Sequence, residues 1–493
     1  MNHDIDYQKI FETVIAINSE TNAHKLFDII LAKMRGITNC EGGTLYIMRE
    51  EKLHFTIVHN ERLNLFTYEE DTNMPPVDMR GNVENVCAYC ARHNVIVNID
   101  DVYENTAFNF QGPRKYDALT GFRTQSMLVF PLADLNGHVI GVIQLLNAAE
   151  NGKIVPFNKE WEPTIQALSR IAAIALMNVR YVAEIKDLFY SFVKMMTAAI
   201  DERTPYNANH TVKVAEYTRG FIHFLRTRFG SGSAYYFDEN REEQLIMSAY
   251  LHDIGKVITP LEIMDKADRL GGRTALIEQR LESKRLYEKT RYLSGGITKV
   301  EYKQNIAFLD DTRAFVERAN TAGFLSDADL ERVNSLKDIT YEDASGNPRA
   351  VFNSGDIECL SVRKGTLTET ERTIMQEHAL VTGRLLSNIK FNKQYGNVPG
   401  WAKSHHEFID GSGYPEKIAR DEIPVEVRIL TIMDTYDALT ASDRPYKKVI
   451  PHESAVKILI AMADDGKLDK EIVGLFIESG VKTENTVFNN FTI

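Results

Sequence analysis

The chain has few cysteines, no long hydrophobic run and no excess of basic residues. Four cysteines among 493 residues do not form the disulfide framework of a small secreted protein. The most apolar stretch, residues 171–179, is far too short to cross a bilayer, and no basic segment followed by an apolar run opens the sequence. We therefore expect a cytoplasmic location and no membrane partner.

The charge balance argues against a nucleic acid polymer as partner. The formal net charge is -12, whereas the phosphates of a long nucleic acid require a basic protein surface. A small anionic ligand in a metal-lined pocket is compatible with this charge. The 44% hydrophobic and 26% charged residues are typical of a folded protein, and 493 residues are too many for one core, so we expect two or three domains.

Cys87 and Cys90 form a CxxC motif within a segment that predicts a helix, residues 83–94. The spacing places both thiols on one helix face. A structural pair and a redox or metal site are both compatible with the motif. The helical context favours the structural pair.

Residues 5–163 predict a small α+β domain. Apolar residues at helical spacing over residues 5–35 are followed by strand-like runs at 42–48, 54–59, 95–99, 126–132 and 138–147. Asn136-Gly137 between the last two runs is a strong hairpin signal.

The segment TGFRTQSMLVFPLADLNGHVIGVIQLLNA at 120–148 resembles a GAF sensor domain. The resemblance implies a pocket for a small molecule, but GAF domains also occur as unliganded dimerisation modules, and the sequence leaves both roles open. GAF domains that bind cyclic mononucleotides carry a lysine and an aspartate where this chain has Ala148 and Trp161, although Asn147 and Phe157 match. If this domain has a ligand, we expect an unknown small molecule, and the two departures argue against cyclic AMP or cyclic GMP.

Residues 164–200 predict one long connecting helix. Its apolar residues recur in alternating steps of three and four, with Lys186 as the one polar interruption, as in the seam of a coiled coil. Pairing with a second copy would form a homodimer and would let this signalling helix move the catalytic half, whereas the alternative is a stripe that packs within one chain. The stripe consists of Ile165, Leu168, Ala172, Ala175, Val179, Val182, Phe189, Val193, Met196 and Ile200.

Histidines and aspartates suited to metal binding recur through the second half of the chain. Imidazoles and carboxylates are ligands of divalent transition metals, and a bridging carboxylate suits two ions held roughly 3.5 to 4 Å apart. Such a pair supports hydrolysis of a phosphate ester. The candidate ligands are His210, His252, Asp253, His378, His405, His406 and Asp434.

Predicted helix ends would let these side chains converge. His210 falls near the start of one predicted helix and His252-Asp253 at the end of another. His378 lies on a helix that opens with a capping box of Thr368 and Glu371.

The strings HDIGK at 252–256, HHEFIDGSGYP at 405–415 and DTYDALTASDRPY at 434–446 resemble the HD-GYP family of bacterial cyclic dinucleotide phosphodiesterases. The resemblance implies that residues 201–493 form an all-α HD-type metal-dependent phosphohydrolase domain. It also implies that the residues above are metal ligands, with Asp253 as the bridging carboxylate and Lys256 as the cation that neutralises the scissile phosphate.

The resemblance bears on the number of metal ions as well. Family members with a third metal carry a glutamate four residues before the first ligand histidine, a place that Tyr206 takes here. We therefore expect two divalent ions, with iron or manganese as the candidates.

Substrate contacts are predicted at the GYP loop and in the DRPY string. Gly413 and Tyr414 either form a tight loop only or lie beside the site, where the family's loop also contacts partner proteins. Arg444 and Tyr446 either hold a guanine or phosphate, or belong to a structural salt bridge. Glu407 and Asp410 are candidate partners that orient imidazoles.

A long segment separates Asp253 from His378, and we interpret residues 273–363 as an insertion. Its sequence predicts two amphipathic helices followed by a hairpin. The insertion could cover the pocket and alter substrate choice, or it could be a packing or partner surface.

The expected architecture is multidomain: an α+β GAF sensor domain, a long connecting helix and an HD-type domain with an inserted segment. We predict a sensor-regulated phosphodiesterase that converts cyclic di-GMP to linear pGpG, with a mixed cyclic GMP-AMP dinucleotide as the next substrate. The rival is a catalytically silent receptor or scaffold that binds the dinucleotide. Retention of every expected ligand favours the enzyme.

Overall fold

The structure is a computed structural model that describes residues 7–69, 74–82, 84–203, 209–441 and 450–481. The chain divides into two compact units, Met1–Phe189 and Tyr190–Ile493. Within the described ranges, no helix is both long and apolar enough to pass through a bilayer.

The first unit is an antiparallel sheet with helices on both faces. Its helices are α1 (Tyr7–Ser19), α2 (Ala23–Thr38), α3 (Val86–His93), α4 (Gln111–Thr120) and the first part of α5 (Glu162–Asp201). Its strands are β1 (Cys40–Arg49), β2 (Lys52–Asn60), β3 (Leu65–Tyr68), β4 (Val77–Asp78), β5 (Val97–Ile99), β6 (Met127–Ala133), β7 (Val139–Glu150) and β8 (Lys153–Val155). The strands pair in the order β3-β2-β1-β7-β6-β5, with β4 beside β2 and β8 beside β7.

The side chains of β6 alternate between two cores, as the two-residue period of a strand requires. Leu128 and Phe130 belong to the core formed with α1, α2 and α5. Met127 and Val129 belong to the core formed with α3. This arrangement confirms the predicted α+β domain.

The Asn136-Gly137 turn joins β6 to β7, as the sequence predicts. Gly137 has a φ of 85°, a backbone conformation that favours glycine. The amides of Asn136 and His138 both donate hydrogen bonds of 2.8 Å to the Asp134 carboxylate. The short strands β3, β4 and β8 have no counterpart among the predicted runs.

Cys87 and Cys90 are free thiols buried between α3 and the sheet. Burial raises the pKa of Cys87 to about 12 and raises that of Cys90 still further. Because a thiol is reactive mainly as the thiolate, this environment supports the structural interpretation of the CxxC motif.

The predicted connecting helix is α5, which runs without a break from Glu162 to Asp201. The first part of the predicted stripe packs within the chain, in agreement with the alternative to the coiled coil. Ile165, Leu168, Ala172 and Ala175 all belong to the core of the first unit.

The exposed apolar face of α5 includes Val182 of the predicted seam, which is 60% exposed, but otherwise differs from that seam. Farther along the helix, Val193 is buried and Phe189 and Met196 are half-buried, so they do not form an open seam. A different set of exposed side chains is spaced in steps of four and three, which is the coiled-coil spacing. This exposed stripe consists of Tyr181, Ile185, Leu188, Phe192 and Met195.

The second unit is built mainly of helices, which confirms the predicted helical class. After α7 a 3-10 helix spans Ile254–Ile258, and a hairpin of β9 (Thr340–Glu342) and β10 (Pro348–Ala350) follows α11. The helices are α6 (His210–Arg228), α7 (Glu239–Leu251), α8 (Leu261–Met264), α9 (Thr274–Leu293), α10 (Lys299–Thr321), α11 (Asp327–Ser335), α12 (Ser354–Leu360), α13 (Glu369–Leu386), α14 (Val398–Lys403), α15 (Val425–Thr440), α16 (His452–Asp464) and α17 (Lys470–Ser479).

The segment interpreted as an insertion has a hydrophobic core of its own. The two helices predicted from its sequence are α9 and α10, and the β9–β10 hairpin follows them. Apolar side chains from α9 to α12 pack together, including Ile277, Leu281, Phe315, Val333 and Cys359. The segment is therefore a packed subdomain and not a long loop.

Arg269 joins the two ends of this subdomain. Its guanidinium is buried and donates to the backbone oxygens of Val362 at 2.7 Å and Ala319 at 2.8 Å, and also to Ala322. Ala319 lies in the last turn of α10, where carbonyl groups lack partners within the helix. One side chain thus links the entry of the segment, its central helix and its exit.

Candidate metal centre

Several helical elements bring the predicted ligands together. The imidazoles and carboxylates stand at helix ends or on helix faces that meet at one place. His210 is the first residue of α6, His252 and Asp253 follow α7, His378 lies on α13, His405 and His406 follow α14, and Asp434 lies on α15.

Asp253 lies between two groups of imidazoles. Its Oδ2 is 3.4 Å from His210 Nε2 and 3.3 Å from His252 Nε2. Its Oδ1 is 3.4 Å from His378 Nε2 and 3.9 Å from His405 Nε2. A single carboxylate therefore faces both groups, which is the arrangement a bridging ligand requires.

Asp434 also faces both groups. Its Oδ1 is 3.2 Å from His210 Nε2, and its Oδ2 is 3.6 Å from His406 Nδ1. Three sets of side chains have ligand atoms within 4.8 Å of one another: His210, His252 and Asp434; His378, His405 and His406; and His252, Asp253 and His405.

Three imidazoles are oriented by the same backbone contact. In each, Nδ1 lies at hydrogen-bond distance from the carbonyl oxygen three residues earlier, so Nδ1 carries a proton and Nε2 is the ring nitrogen turned toward the centre. The pairs are His252 with Ala249 at 2.7 Å, His378 with Met375 at 2.6 Å and His405 with Ala402 at 2.7 Å.

His210 is oriented by a carboxylate that the sequence analysis missed. Its Nδ1 lies 2.6 Å from Oδ2 of Asp437, which is buried on α15. Asp437 stands one helical turn after Asp434 in the DTYD string, so both carboxylates share a helix face. That spacing was the signal that could have identified it.

Buried atoms without partners provide a test of whether a metal fits. Among the described residues, Asp253 Oδ1, His378 Nε2 and His405 Nε2 are buried and make no hydrogen bond. A buried polar atom without a partner is costly unless something satisfies it. These atoms converge on one place and are all metal-ligand types, so the residues fit a divalent cation.

The imidazoles of the second group, which are His378, His405 and His406, are held neutral. Burial lowers the pKa of His378 and lowers that of His405 well below its usual range. Burial likewise lowers the pKa of His406 to about 3, although Asp434 opposes the change. A neutral imidazole has the free lone pair that a metal ligand needs.

The first group, His210 and His252, lies in a strongly negative electrostatic environment. Burial lowers the pKa of His252, but the carboxylates of Asp253 and Asp434 outweigh it and raise the value to about 9. The Asp253 carboxyl is buried too, yet the Lys256 ammonium and the neighbouring imidazoles hold its pKa well below the usual range. The centre therefore attracts positive charge.

Lys256 stands at the edge of this centre. Its Nζ lies 2.5 Å from Asp253 Oδ2, and its side chain is 20% exposed. The ammonium is thus close to the carboxylate that faces both groups and is still open to solvent. A role for Lys256 on a substrate phosphate stays a prediction.

The 3-10 helix that carries Lys256 packs directly on α13. A Cβ at Gly255 would lie 2.0 Å from the carbonyl oxygen of His378, so this approach requires glycine. The hydroxyl of Thr382 accepts from the Gly255 amide at 3.0 Å and donates to the carbonyl oxygen of His252 at 2.9 Å. These contacts fix the turn against the helix that presents His378.

Gly413 and Tyr414 pack against the His406 turn. A Cβ at Gly413 would lie 2.3 Å from Phe408 N and 2.5 Å from His406 O, so the close approach of the loop requires glycine here as well. The Tyr414 ring lies against the His406 ring with centroids 4.6 Å apart. The GYP loop therefore borders the centre, and direct substrate contact by these two residues stays a prediction.

Glu407 fastens this loop rather than an imidazole. Its buried Oε1 accepts from the amides of Glu416 at 2.6 Å and Lys417 at 3.1 Å. Asp410 accepts from the amide and hydroxyl of Ser412. In the part of the chain that the structure describes, neither carboxylate meets an imidazole, because both are used within the loop itself.

Three residues singled out from the sequence lie outside the described ranges. They are Tyr206, Arg444 and Tyr446. Their predicted roles stay predictions.

Comparison with known families agrees with both motif assignments. Residues 22–176 match the family described as GAF domain, and residues 348–472 match the family described as HD domain. The first unit is also similar to the crystal structure of the GAF domain from an Acinetobacter phosphoenolpyruvate-protein phosphotransferase, at 14% identity over 36% of this chain and 96% of that one, with a TM-score of 0.28. The two family matches alone show that the chain contains a GAF domain and an HD domain.

Curated relatives match parts of the chain. The 3'3'-cGAMP-specific phosphodiesterase 3 of Vibrio cholerae is 37% identical over 97 residues, which is 20% of each chain. The cyclic di-GMP phosphodiesterase response regulator RpfG of Xanthomonas campestris is 28% identical over 207 residues, or 41% of this chain and 52% of that one. The cyclic di-GMP phosphodiesterase of Thermotoga maritima is 35% identical over 120 residues, or 24% of this chain and 31% of that one. The chain thus spans at most about half the length of these relatives.

Proposed function

We propose that this protein is a metal-dependent phosphodiesterase that opens a cyclic dinucleotide, with cyclic di-GMP as substrate and linear pGpG as product. One observation carries the proposal: two groups of imidazoles converge on opposite oxygens of the buried Asp253 carboxylate. The names of the curated relatives support the same class of substrate.

The ligand set is suited to two divalent ions, iron or manganese. One ion would be held by the first group with Asp434, the other by the second group, and Asp253 would be shared. Bound there, the ions would supply a hydroxide that is nucleophilic at neutral pH and would neutralise charge on phosphoryl oxygens. The proposed ligands are His210, His252, Asp253, His378, His405, His406 and Asp434.

The protein's own part is to orient ligands and to place a cation. Backbone carbonyls and Asp437 hold four imidazoles in the tautomer that presents Nε2 to the centre. Lys256 would bind a non-bridging phosphate oxygen, because its ammonium lies beside Asp253 and is partly open to solvent. Negative charge that develops on the phosphate would be stabilised by this fixed cation.

The bases of the substrate are a separate question. The relative named for mixed cyclic GMP-AMP is more identical in the matched region than the relatives named for cyclic di-GMP quoted above. A mixed dinucleotide is therefore the alternative substrate. Gly413, Tyr414, Arg444 and Tyr446 are the proposed substrate contacts, and the GYP loop is also a proposed surface for a protein partner.

Regulation by the first unit completes the proposal. The GAF domain would bind an unknown small molecule, and α5 would carry the signal because it is one continuous helix. The exposed stripe on α5 would pair with a second copy of the chain, which gives a homodimer.

The test is turnover under anaerobic conditions with iron or manganese. Cyclic di-GMP and mixed cyclic GMP-AMP would be offered separately to the wild type, to Asp253→Asn and to Asp464→Asn. Asp464 is a matched control because it pairs with Lys470 on the surface. We expect metal-dependent formation of a linear dinucleotide by the wild type and by Asp464→Asn, and none by Asp253→Asn.

Binding without turnover would favour the rival function. If the metal-loaded protein bound a cyclic dinucleotide and released it intact, the chain would be a receptor. Measurement of bound and free nucleotide by chromatography separates the two outcomes.

A further inference from the structure

The guanidinium of Arg203 holds the backbone of the 3-10 helix that carries Lys256. Arg203 stands just after the end of α5. Its Nη1 donates to the carbonyl oxygen of Lys256 at 2.8 Å and also to that of Val257. Its Nη2 donates to the carbonyl oxygen of Thr259 at 3.3 Å.

These carbonyls lie at the C-terminal end of the 3-10 helix Ile254–Ile258. The Lys256 carbonyl also accepts from the Thr259 amide at 3.0 Å. Carbonyl groups at a helix end carry partial negative charge, so a cation is stabilised there. A guanidinium presents several N–H groups in one plane and can bridge neighbouring oxygens, whereas an ammonium is a point charge. The contact therefore depends on the arginine head group and not on charge alone.

The last turns of α5 also reach α7, the helix that leads into His252. The Lys194 ammonium lies 5.9 Å from the ring centroid of Tyr250, and Val193 and Thr197 are buried. The end of α5 thus contacts the elements on both sides of the His252-Asp253 pair.

We propose that Arg203 is a positioning residue: it links the end of α5 to the 3-10 helix Ile254–Ile258 and so positions the Lys256 ammonium. The proposal rests on the proposed function, because it assigns Lys256 to the substrate phosphate. α5 begins in the core of the GAF domain and ends two residues before Arg203. A shift of α5 would be transmitted through this contact to the 3-10 helix that carries Lys256.

Kinetics provide the first arm of the test. Arg203→Ala should lower kcat roughly 10- to 100-fold, since a misplaced catalytic group costs rate rather than binding, and KM should change little. The kcat of Arg203→Lys should lie between that of the wild type and that of Arg203→Ala. Arg228→Ala is the matched control, because Arg228 pairs with Glu478 at the opposite end of α6 from His210.

Two further readouts separate positioning from general damage. Added guanidinium should restore part of the activity of Arg203→Ala and should not change the activity of Arg228→Ala. In a Lys256→Ala background, Arg203→Ala should have little further effect, because residues that act as a unit are not additive. Metal content should equal that of the wild type in every variant.

Hydrogen exchange provides an arm that does not depend on activity. Amides of residues 254–263 should exchange faster in Arg203→Ala than in Arg228→Ala, because the 3-10 helix has lost its hydrogen bonds to the guanidinium. If the wild type hydrolysed no cyclic dinucleotide, the proposed function would fail, and exchange would still decide whether the tie exists. Equal exchange in the two variants, a fully additive loss with Lys256→Ala, or loss of metal in Arg203→Ala would overturn the proposal.

Discussion

The Nδ1 atom of His210 lies 2.6 Å from Oδ2 of Asp437, and this contact joins the first residue of α6 to α15. Both side chains are buried. The carboxylate fixes the ring so that Nε2 faces Asp253 and Asp434. A carboxylate behind a ligating imidazole also raises the basicity of the ligand.

Asp437→Asn should therefore weaken metal binding without removing a ligand. We expect the affinity for manganese to fall roughly 10- to 100-fold, the usual effect of losing such a partner. A titration against a competing chelator measures this affinity. Asp464→Asn should bind as the wild type does, and an unchanged affinity in Asp437→Asn would show that the contact has no part in the site.

Arg269 gives a prediction about the insertion. Arg269→Met removes the donor to the carbonyls of Val362 and Ala319, which are then left unsatisfied. Each buried group without a partner costs about 1–3 kcal/mol, so the subdomain should be destabilised by about 3 kcal/mol in total.

Hydrogen exchange of residues 274–360 measures this effect locally. Arg349→Met is the matched control, because Arg349 pairs with Asp343 on the exposed hairpin. Metal content should not change in either variant. If the amides of Arg269→Met exchanged at the rate of the control, Arg269 would not stabilise the inserted subdomain.

The residues that converge at the candidate metal centre could be predicted because their motifs are ordered strings of chemically demanding residues. The helix ends that carry His210 and His252 were predicted as well, since helical periodicity and capping mark them. The capping box of Thr368 and Glu371 is present in the structure. Local physics and motif chemistry agree at these positions.

Other features leave no such pattern. Arg203 and Arg269 act on backbone carbonyls, which every residue has, so no spacing of residue types reveals their partners. The register of the exposed stripe could not be predicted either, because α5 carries apolar residues on two adjoining faces. Only packing decides which face is covered: Val193 is buried, whereas Phe192 is exposed.

The exposed stripe predicts a homodimer that one charge can break. Leu188 is 71% exposed in the single chain, and a glutamate there would place charges in the seam of the dimer. Leu188→Glu should therefore sediment as a monomer at concentrations where the wild type is a dimer. Leu135→Glu, at an exposed leucine of the β6–β7 turn, is the matched control and should stay dimeric. A wild type that sediments as a monomer would contradict the pairing.

The titration of the centre predicts how stability depends on pH. In the metal-free protein, burial lowers the pKa of His252, but Asp253 and Asp434 outweigh it and raise the value to about 9. A raised histidine pKa stabilises the fold below the unfolded value of about 6.5, and this stability is lost as the pH rises towards 9.

His406 has the opposite effect, because burial lowers its pKa to about 3 and stability is lost as the pH falls below about 6.5. The Tm of the metal-free protein should therefore be highest near about pH 6.5 and fall on both sides. Manganese should remove the alkaline fall, since ligation keeps the imidazoles deprotonated.

Calorimetry from about pH 5 to about pH 9.5, with chelator or manganese, measures both curves. His252→Asn should reduce the alkaline slope and leave the part that comes from His210, because, despite burial, carboxylates also raise the pKa of His210 well above its usual value. His223→Gln, at an exposed site, should keep the full slope. A flat Tm between about pH 7 and about pH 9 in chelator would refute this account of the first group.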